Sequence, residues 1–395
     1  MEKHGEKHNI VILSALGGHD VAARAIKEQF DLRYSDCEVI IIPMNEYAGR
    51  FLMRVNDGFY TFCCRFAPWV FGIYFKFMAA RLARKLKRLG KKYVSLGRDG
   101  ARIREESALY PVKRLKNIYD RFEPKVFVSV QSMPQGLAVA AKKRYKFDSK
   151  VVAVISDYAL DKLYVRYGCD GYVVDNEEMK RELNELGIED EKVRVFGLSA
   201  FNKFLVRNDK QKMREHFGLP DRPTVIITGG SFGAGKMKTI FRHLLENFKD
   251  INVVAIAGRN EKLKAKFEKI KTELNAENAY ILGFTTEFDK LLDAADAMIC
   301  KPGAMSVNEA FLKGVPVISV YPMPSVEAMN VRYFKEKDLC MCPDNPRQVG
   351  EQLRLLLENP EVRQKYIEKI SRHSKRDATK NIADYIYSLI DKQNN

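Results

Sequence analysis

Short apolar runs alternate along this chain with longer helical patterns. The first series is "NIVILSA" (9–15), "CEVIIIPM" (37–44), "KVFVSV" (125–130), "KVVAVIS" (150–156), "GYVVD" (171–175) and "KVRVFG" (192–197). A second follows: "TVIITGG" (224–230), "NVVAIAG" (252–258), "NAYILGF" (278–284), "DAMICK" (296–301), "VPVISV" (315–320) and "LCMC" (339–342). Runs that stay apolar without alternating suit strands covered on both faces. Strand and helix in alternation predict an α/β protein with parallel sheets.

Two such series predict two Rossmann-like domains joined near 198–222. The expected division is 1–200 and 201–370, with 371–395 forming a C-terminal helix that packs back on the first domain. Ligands of such sheets bind at the carboxyl ends of strands. Two facing domains of this kind would share one interdomain cleft. "SALGGHD", "SDY" (156–158), "TGGSFGAGK" and "KPGAMSVNEA" (301–310) all stand at expected strand ends and are therefore the expected cleft elements.

Composition changes the picture in two respects. The formal charge of +16 calls for an anionic partner. The seven cysteines include no C-x-x-C pair, which fits reduced thiols better than a zinc site. The start, "MEKHGEKHNIVILSA", lacks the features of a signal peptide. The longest nearly apolar run, "FAPWVFGIYFKFMAA" (66–80), is broken by Lys76 and is too short to span a bilayer.

"IITGGSFGAGKMKT" (226–239) imitates a phosphate-binding loop through Gly230, Gly235 and Lys236. The next residue of such a loop holds Mg²⁺ through a hydroxyl. Here it is Met237, which has none. A second glycine turn is more informative. In "MICKPGAMSVNEAFLKGVPVISV" a strand ends, Pro302-Gly303 turns, and a helix begins around Ala304, Met305 and Ser306. Its first amides are expected to bind phosphate. Glu309, about one turn in, is placed to accept the two hydroxyls of a ribose. The following strand leads to a proline-rich loop with Glu327 and Asn330.

Taken in order, "GGH", "SDY", "GGSFGAGK", "AGRNEKL", "LGFTTEFDKLLDAADAMICKPGAMSVNEA" and "PMPSVEAMN" resemble the glycosyltransferase family of monogalactosyldiacylglycerol synthases and processive diacylglycerol glucosyltransferases. The resemblance spans nearly the whole chain and is strongest over 224–330. It implies a GT-B fold and an inverting transfer of a hexose from a UDP-sugar to a diacylglycerol-type lipid, with no bound metal or other cofactor. It implies His19 as the base and Asp157 as an acid beside the acceptor. It places Gly230, Ser231 and the helix start beyond Gly303 on the diphosphate, and Arg259 near the nucleotide. Phe284 falls where the backbone reads uracil, and Glu327 and Asn330 fall among the donor contacts.

The chain departs from the family pattern at Ala304 (for Gly), at Ser325 and Val326 (within P-G-Q-E), at Gln131 (near the usual His) and in "DKLY" (161–164). These departures fall on the sugar and acceptor features. They keep two alternatives open: a transferase with a different lipid or non-lipid acceptor, and a weakly active membrane protein that senses nucleotide sugars.

Residues 50–118 join aromatics to bases. Trp69, Phe71, Phe75 and Phe77 precede Arg81, Arg84, Lys85, Lys87, Arg88, Lys91 and Lys92. A basic amphipathic helix lying in an anionic interface has this pattern, as does a core helix with a solvated basic face. With a lipid acceptor, the expected setting is peripheral, on the cytoplasmic face of the cell membrane. No nucleic-acid recognition motif stands out.

Overall fold

Six of the apolar runs pair as one parallel sheet in the computed structural model, which describes residues 7–14, 17–47, 73, 77, 112–230, 233, 235–322 and 326–391. They are β1 (His8–Leu13), β2 (Cys37–Ile42), β3 (Val126–Ser129), β4 (Lys150–Val154), β5 (Gly171–Val174) and β6 (Val193–Val195). Their order is β2-β1-β3-β4-β5-β6. Chain order reverses between β1 and β3, and that reversal opens a crevice at the carboxyl ends of these two strands. Both strands are buried through their centres, which is why neither alternates in sequence.

The second sheet contains β7 (Thr224–Thr228), β8 (Asn252–Ile256), β9 (Ala279–Leu282), β10 (Ala297–Cys300) and β11 (Val317–Ser319), in the order β11-β10-β7-β8-β9. Here the reversal lies between β7 and β10. The two glycine turns that stood out in the sequence follow these two strands. Helices Met237–Asn247 and Glu261–Glu273 cover the sheet, and Phe241 and Phe267 meet between them with ring centroids 4.8 Å apart. Each such fully buried side chain contributes about 1.5–3 kcal/mol.

The expected strand "LCMC" is reduced to one bridge, Met341 to Ile318. Met341 donates to the Val317 carbonyl and accepts from the Ser319 amide. The next donor in that ladder would be residue 343. It is a proline and has no N–H, so pairing stops there.

The chain forms two compact units, divided after Phe201 and again before Asp377. The expected boundary at 371 falls inside the helix Pro360–His373; the chain returns to the first unit at Asp377, just ahead of the helix Ala378–Asp391. That helix is tied in by polar contacts. Thr379 both donates to and accepts from the backbone of Ala200, at 2.8 Å each. Asp384 accepts from Arg33 and Tyr34, and Tyr34 stacks on Tyr387 at 4.2 Å. Gly171 lets the helix approach β5, since a Cβ there would lie 2.2 Å from the Tyr385 hydroxyl. In the second unit, Lys313 and Asp293 form a buried ion pair at 2.6 Å, and Asp293 also accepts from Asn208.

Candidate active site

In the first unit the crevice between β1 and β3 holds His19. Gly17, with φ of 73°, turns the chain out of β1 and into the helix Gly18–Arg33. His19 therefore lies in the first turn of that helix, with Nδ1 2.8 Å from Ser156 Oγ. Ser156 and Asp157 lie just past the end of β4, so one strand end carries both the partner of the imidazole and the buried carboxylate expected near the acceptor. The Ser156 hydroxyl also points to the Val130 carbonyl at 3.4 Å, and Tyr164 donates to the same carbonyl at 3.2 Å. Burial pushes the His19 pKa down to about 4, partly offset by a hydrogen bond to Val130. The ring is therefore neutral at pH 7 and able to accept a proton.

Gln131, one residue beyond Val130, caps the start of the helix Ser132–Tyr145 without a side-chain cap bond. Its Oε1 is buried and has no hydrogen-bond partner among the described residues. Tyr164 is held far above the usual phenol range, first by burial and then by the charges of Asp157 and Asp161. This end of the first sheet thus combines a neutral imidazole, a buried carboxylate and an unsatisfied amide oxygen.

In the second unit the chain leaves β7 through Gly230 (φ 71°), whose amide donates to Thr228 Oγ1 at 3.1 Å. Gly233 closes the turn onto the Gly230 carbonyl at 2.9 Å, and a Cβ on Gly233 would come within 2.6 Å of Leu263. Ser231 lies outside the described residues. Met237 opens the next helix and is fully buried, so it serves the core at the position where a Mg²⁺-binding hydroxyl would stand.

Beside this turn, Lys301-Pro302-Gly303 follow β10, and the helix Ala304–Leu312 begins with no side-chain cap. The first-turn amides of Ala304, Met305 and Ser306 have no intrahelical acceptor. Asn330 donates to the Pro302 carbonyl at 3.3 Å and is fully buried, tying the helix Val326–Lys337 to the turn. Two of the expected donor contacts have particular surroundings. Glu327, expected among the donor contacts, has Oε1 2.5 Å from the Lys301 ammonium. Glu309, expected as an ionised ribose acceptor, is buried. Desolvation raises its pKa to about 8 against the opposing charge of Lys203, with Asp289 adding to the rise. At pH 7 it is mostly protonated. At the far side of β7, the Arg259 guanidinium lies 4.8 Å from the Phe284 ring, which is 57% exposed and so presents an open aromatic face.

Trp69, Phe71, Phe75, Arg84, Lys85, Lys87 and Arg88 lie outside the described residues. Of that segment, Ile73 and Phe77 are helical and exposed, one turn apart. Among the described residues no helix is long and apolar enough to cross a membrane.

Residues 19–199 match the family model for monogalactosyldiacylglycerol (MGDG) synthase, and residues 224–382 match the C-terminal domain of glycosyltransferase family 28. Both matches are thus to glycosyltransferase models, one in each unit. It is 27% identical over 253 residues to a processive diacylglycerol beta-glucosyltransferase of Staphylococcus saprophyticus, covering 64% of each chain. The match therefore spans a little under two thirds of that curated relative. Among solved structures, MurG of Acinetobacter baumannii superposes with a TM-score of 0.60 at 15% identity, covering 97% of this chain and 99% of that one. A UDP-N-acetylglucosamine 2-epimerase from Listeria monocytogenes, itself described as putative, gives 0.62 at 13%, covering 98% and 97%. These similarities identify the fold as GT-B.

Two members of the site lie within expected cleft elements without a signal of their own. Ser156 orients the imidazole, but a serine ahead of an aspartate carries no signal of its own. Lys301 heads the expected cleft element 301–310 but is not among the expected site residues. Its position immediately before Pro-Gly and an uncapped helix was the available clue.

Proposed function

We propose that this protein transfers a hexose from a UDP-sugar to a diacylglycerol-type lipid at a membrane surface, with inversion at the anomeric carbon. The observation that carries the reading is the uncapped start of the helix Ala304–Leu312 beside the Gly230 turn, at the point where strand order reverses. Backbone amides and the helix dipole there suit a diphosphate. The family and its diacylglycerol-glucosylating relatives supply the substrate class.

In this reading the acceptor hydroxyl attacks the anomeric carbon while the bond to the β-phosphate oxygen breaks, leaving the electron pair on UDP. The hydroxyl proton passes to His19. In this reading Nδ1 donates to Ser156 Oγ, its neighbour at 2.8 Å, and Nε2 is left as the basic nitrogen. Asp157, at the same strand end, stabilises the imidazolium as it forms. The amides beyond Gly303 meet the charge growing on the diphosphate. Donor binding needs no divalent ion in this reading, because Met237 offers no ligand and the backbone meets the charge.

The test is product analysis with UDP-glucose and UDP-galactose in parallel, using diacylglycerol in mixed vesicles. A glycosylated diacylglycerol is expected from one donor, at a rate unchanged by EDTA. Turnover only with another acceptor would replace the lipid assignment. Nucleotide-sugar binding without turnover would replace the enzyme by a sensor.

The membrane part of the proposal rests on the 69–92 segment and on the exposed Ile73 and Phe77. It places the protein peripherally on the inner face of the cell membrane. Surface bases contribute about 1 kcal/mol each near anionic lipid, and salt screens them over about 8 Å at physiological ionic strength. Sedimentation with anionic vesicles is therefore expected to fall with added salt and with Lys85, Lys87 and Arg88 changed to Ala. Trp69→Ala is expected to weaken binding even at high salt. A wild-type protein that ignores anionic vesicles at low salt would remove this part.

A further inference from the structure

Lys301 stands where the two glycine turns of the second unit meet. Its Cε lies 3.3 Å from the place a Cβ on Gly230 would occupy, and its Cε and Nζ lie 3.9 Å from the same place at Gly303. Both turns follow the strands that flank the reversal of strand order, where a bound anion is expected. The side chain is only 21% exposed, and its Glu327 partner only 10%. An ammonium has three donors; among the described residues Lys301 uses one, toward Glu327 Oε1 at 2.5 Å. Pairing with Glu327 alone would not require the ammonium to sit between two anion-binding turns. A diphosphate seated on those turns would bring more negative charge to it than one carboxylate does.

We propose that Lys301 binds the diphosphate of the donor and stabilises the departing nucleoside diphosphate, and that Glu327 holds the ammonium in place in the free protein and competes for it. This rests on the nucleotide-sugar reading above. As the anomeric bond breaks, its electron pair goes to the β-phosphate oxygen, and an N–H of Lys301 donates a hydrogen bond to the diphosphate without giving up its proton. Removing Glu327 frees the ammonium, so the two side chains should act on nucleotide affinity in opposite directions.

The experiment is calorimetric titration of the full chain with UDP and with uridine, in wild type, Lys301→Met, Glu327→Gln and the double variant. Lys301→Met is expected to weaken UDP about 10- to 100-fold, as loss of a charge-assisted hydrogen bond does, and to leave uridine unchanged. Glu327→Gln is expected to tighten UDP about three- to tenfold, but only where Lys301 is present, a coupling the cycle isolates. Lys301→Arg should retain most of the UDP affinity. The double variant leaves no unpaired buried charge, so a folding defect confined to Lys301→Met would not hide the result. An unchanged UDP-to-uridine ratio in Lys301→Met and in the double variant overturns the proposal. An equal effect of Glu327→Gln with and without Lys301 overturns the competition. Failure of the wild type to bind UDP overturns the nucleotide-sugar reading itself, which is a distinct outcome.

Discussion

Replacing His19 with alanine is expected to lower turnover by about 10²- to 10⁴-fold, the range for loss of a general base, with UDP affinity unchanged. The separation follows from the architecture. His19 belongs to the first unit, whereas the turns suited to the diphosphate belong to the second. The pH behaviour should be equally specific. With a pKa near 4 the ring stays neutral well below the usual histidine range, so the acid limb of kcat/KM should lie near pH 4 to 5. The same shift enters folding. The unfolded chain takes up this proton at about pH 6.5, before the folded chain does. The stability lost in this way accumulates as pH falls from about 6.5 toward 4, and His19→Gln should flatten that part of the curve. Initial rates, titration with UDP and thermal unfolding across this window test the set. Turnover within a few-fold of wild type would move the proton to another group, with Asp157 the first candidate.

The fold was legible because parallel strands buried on both faces leave continuous apolar runs. Val11, Val128, Val152, Ile226 and Val254 all fall in such runs, and all lie at the centres of the two sheets. The exception, "LCMC", shows the limit of the argument. Its apolar content suits a strand, but Pro343 removes the donor that a second rung needs. The helix Ala378–Asp391 was visible as a pattern, while its attachment through Tyr34, Asp384 and Thr379 depends on residues far away in sequence.

Within the site, the turns were legible and the pairings were not. Glycines at strand ends announce close backbone approach, and Gly230 and Gly303 lie at such ends. Nothing local indicates that Lys301 reaches across 26 residues to Glu327, or that Ser156 meets an imidazole 137 residues away. Protonation was hidden for the same reason. Glu309 looks like an ordinary helix carboxylate until the helix Ala304–Leu312 is seen to be buried along most of its length.

Replacing Glu309 with glutamine is expected to remove a pH dependence of stability worth several kcal/mol. The folded pKa is about 8, against an ordinary value of 4.5. Between those values the folded chain holds a proton that the unfolded chain has released. Stability from this group is therefore highest below about pH 4.5 and falls as pH rises through 8. At 1.36 kcal/mol per unit the full span is of the order of 4–5 kcal/mol. Chemical denaturation at pH 5 and pH 9 should show the loss in wild type and a flatter response in Glu309→Gln. The same proton reports on the ribose. Two hydroxyls donating to the carboxylate favour its charged form, so binding uridine at pH 7 should release a proton from wild type and none from Glu309→Gln. Calorimetry in buffers of different ionisation enthalpy measures that release, and uridine avoids the titration of a phosphate. Glu309→Ala should weaken UDP by about 1–3 kcal/mol, and Glu309→Gln, which keeps an acceptor oxygen, should weaken it less. Unchanged affinity in Glu309→Ala, with no proton released by wild type, would make Glu309 a buried helix residue that the ribose never meets.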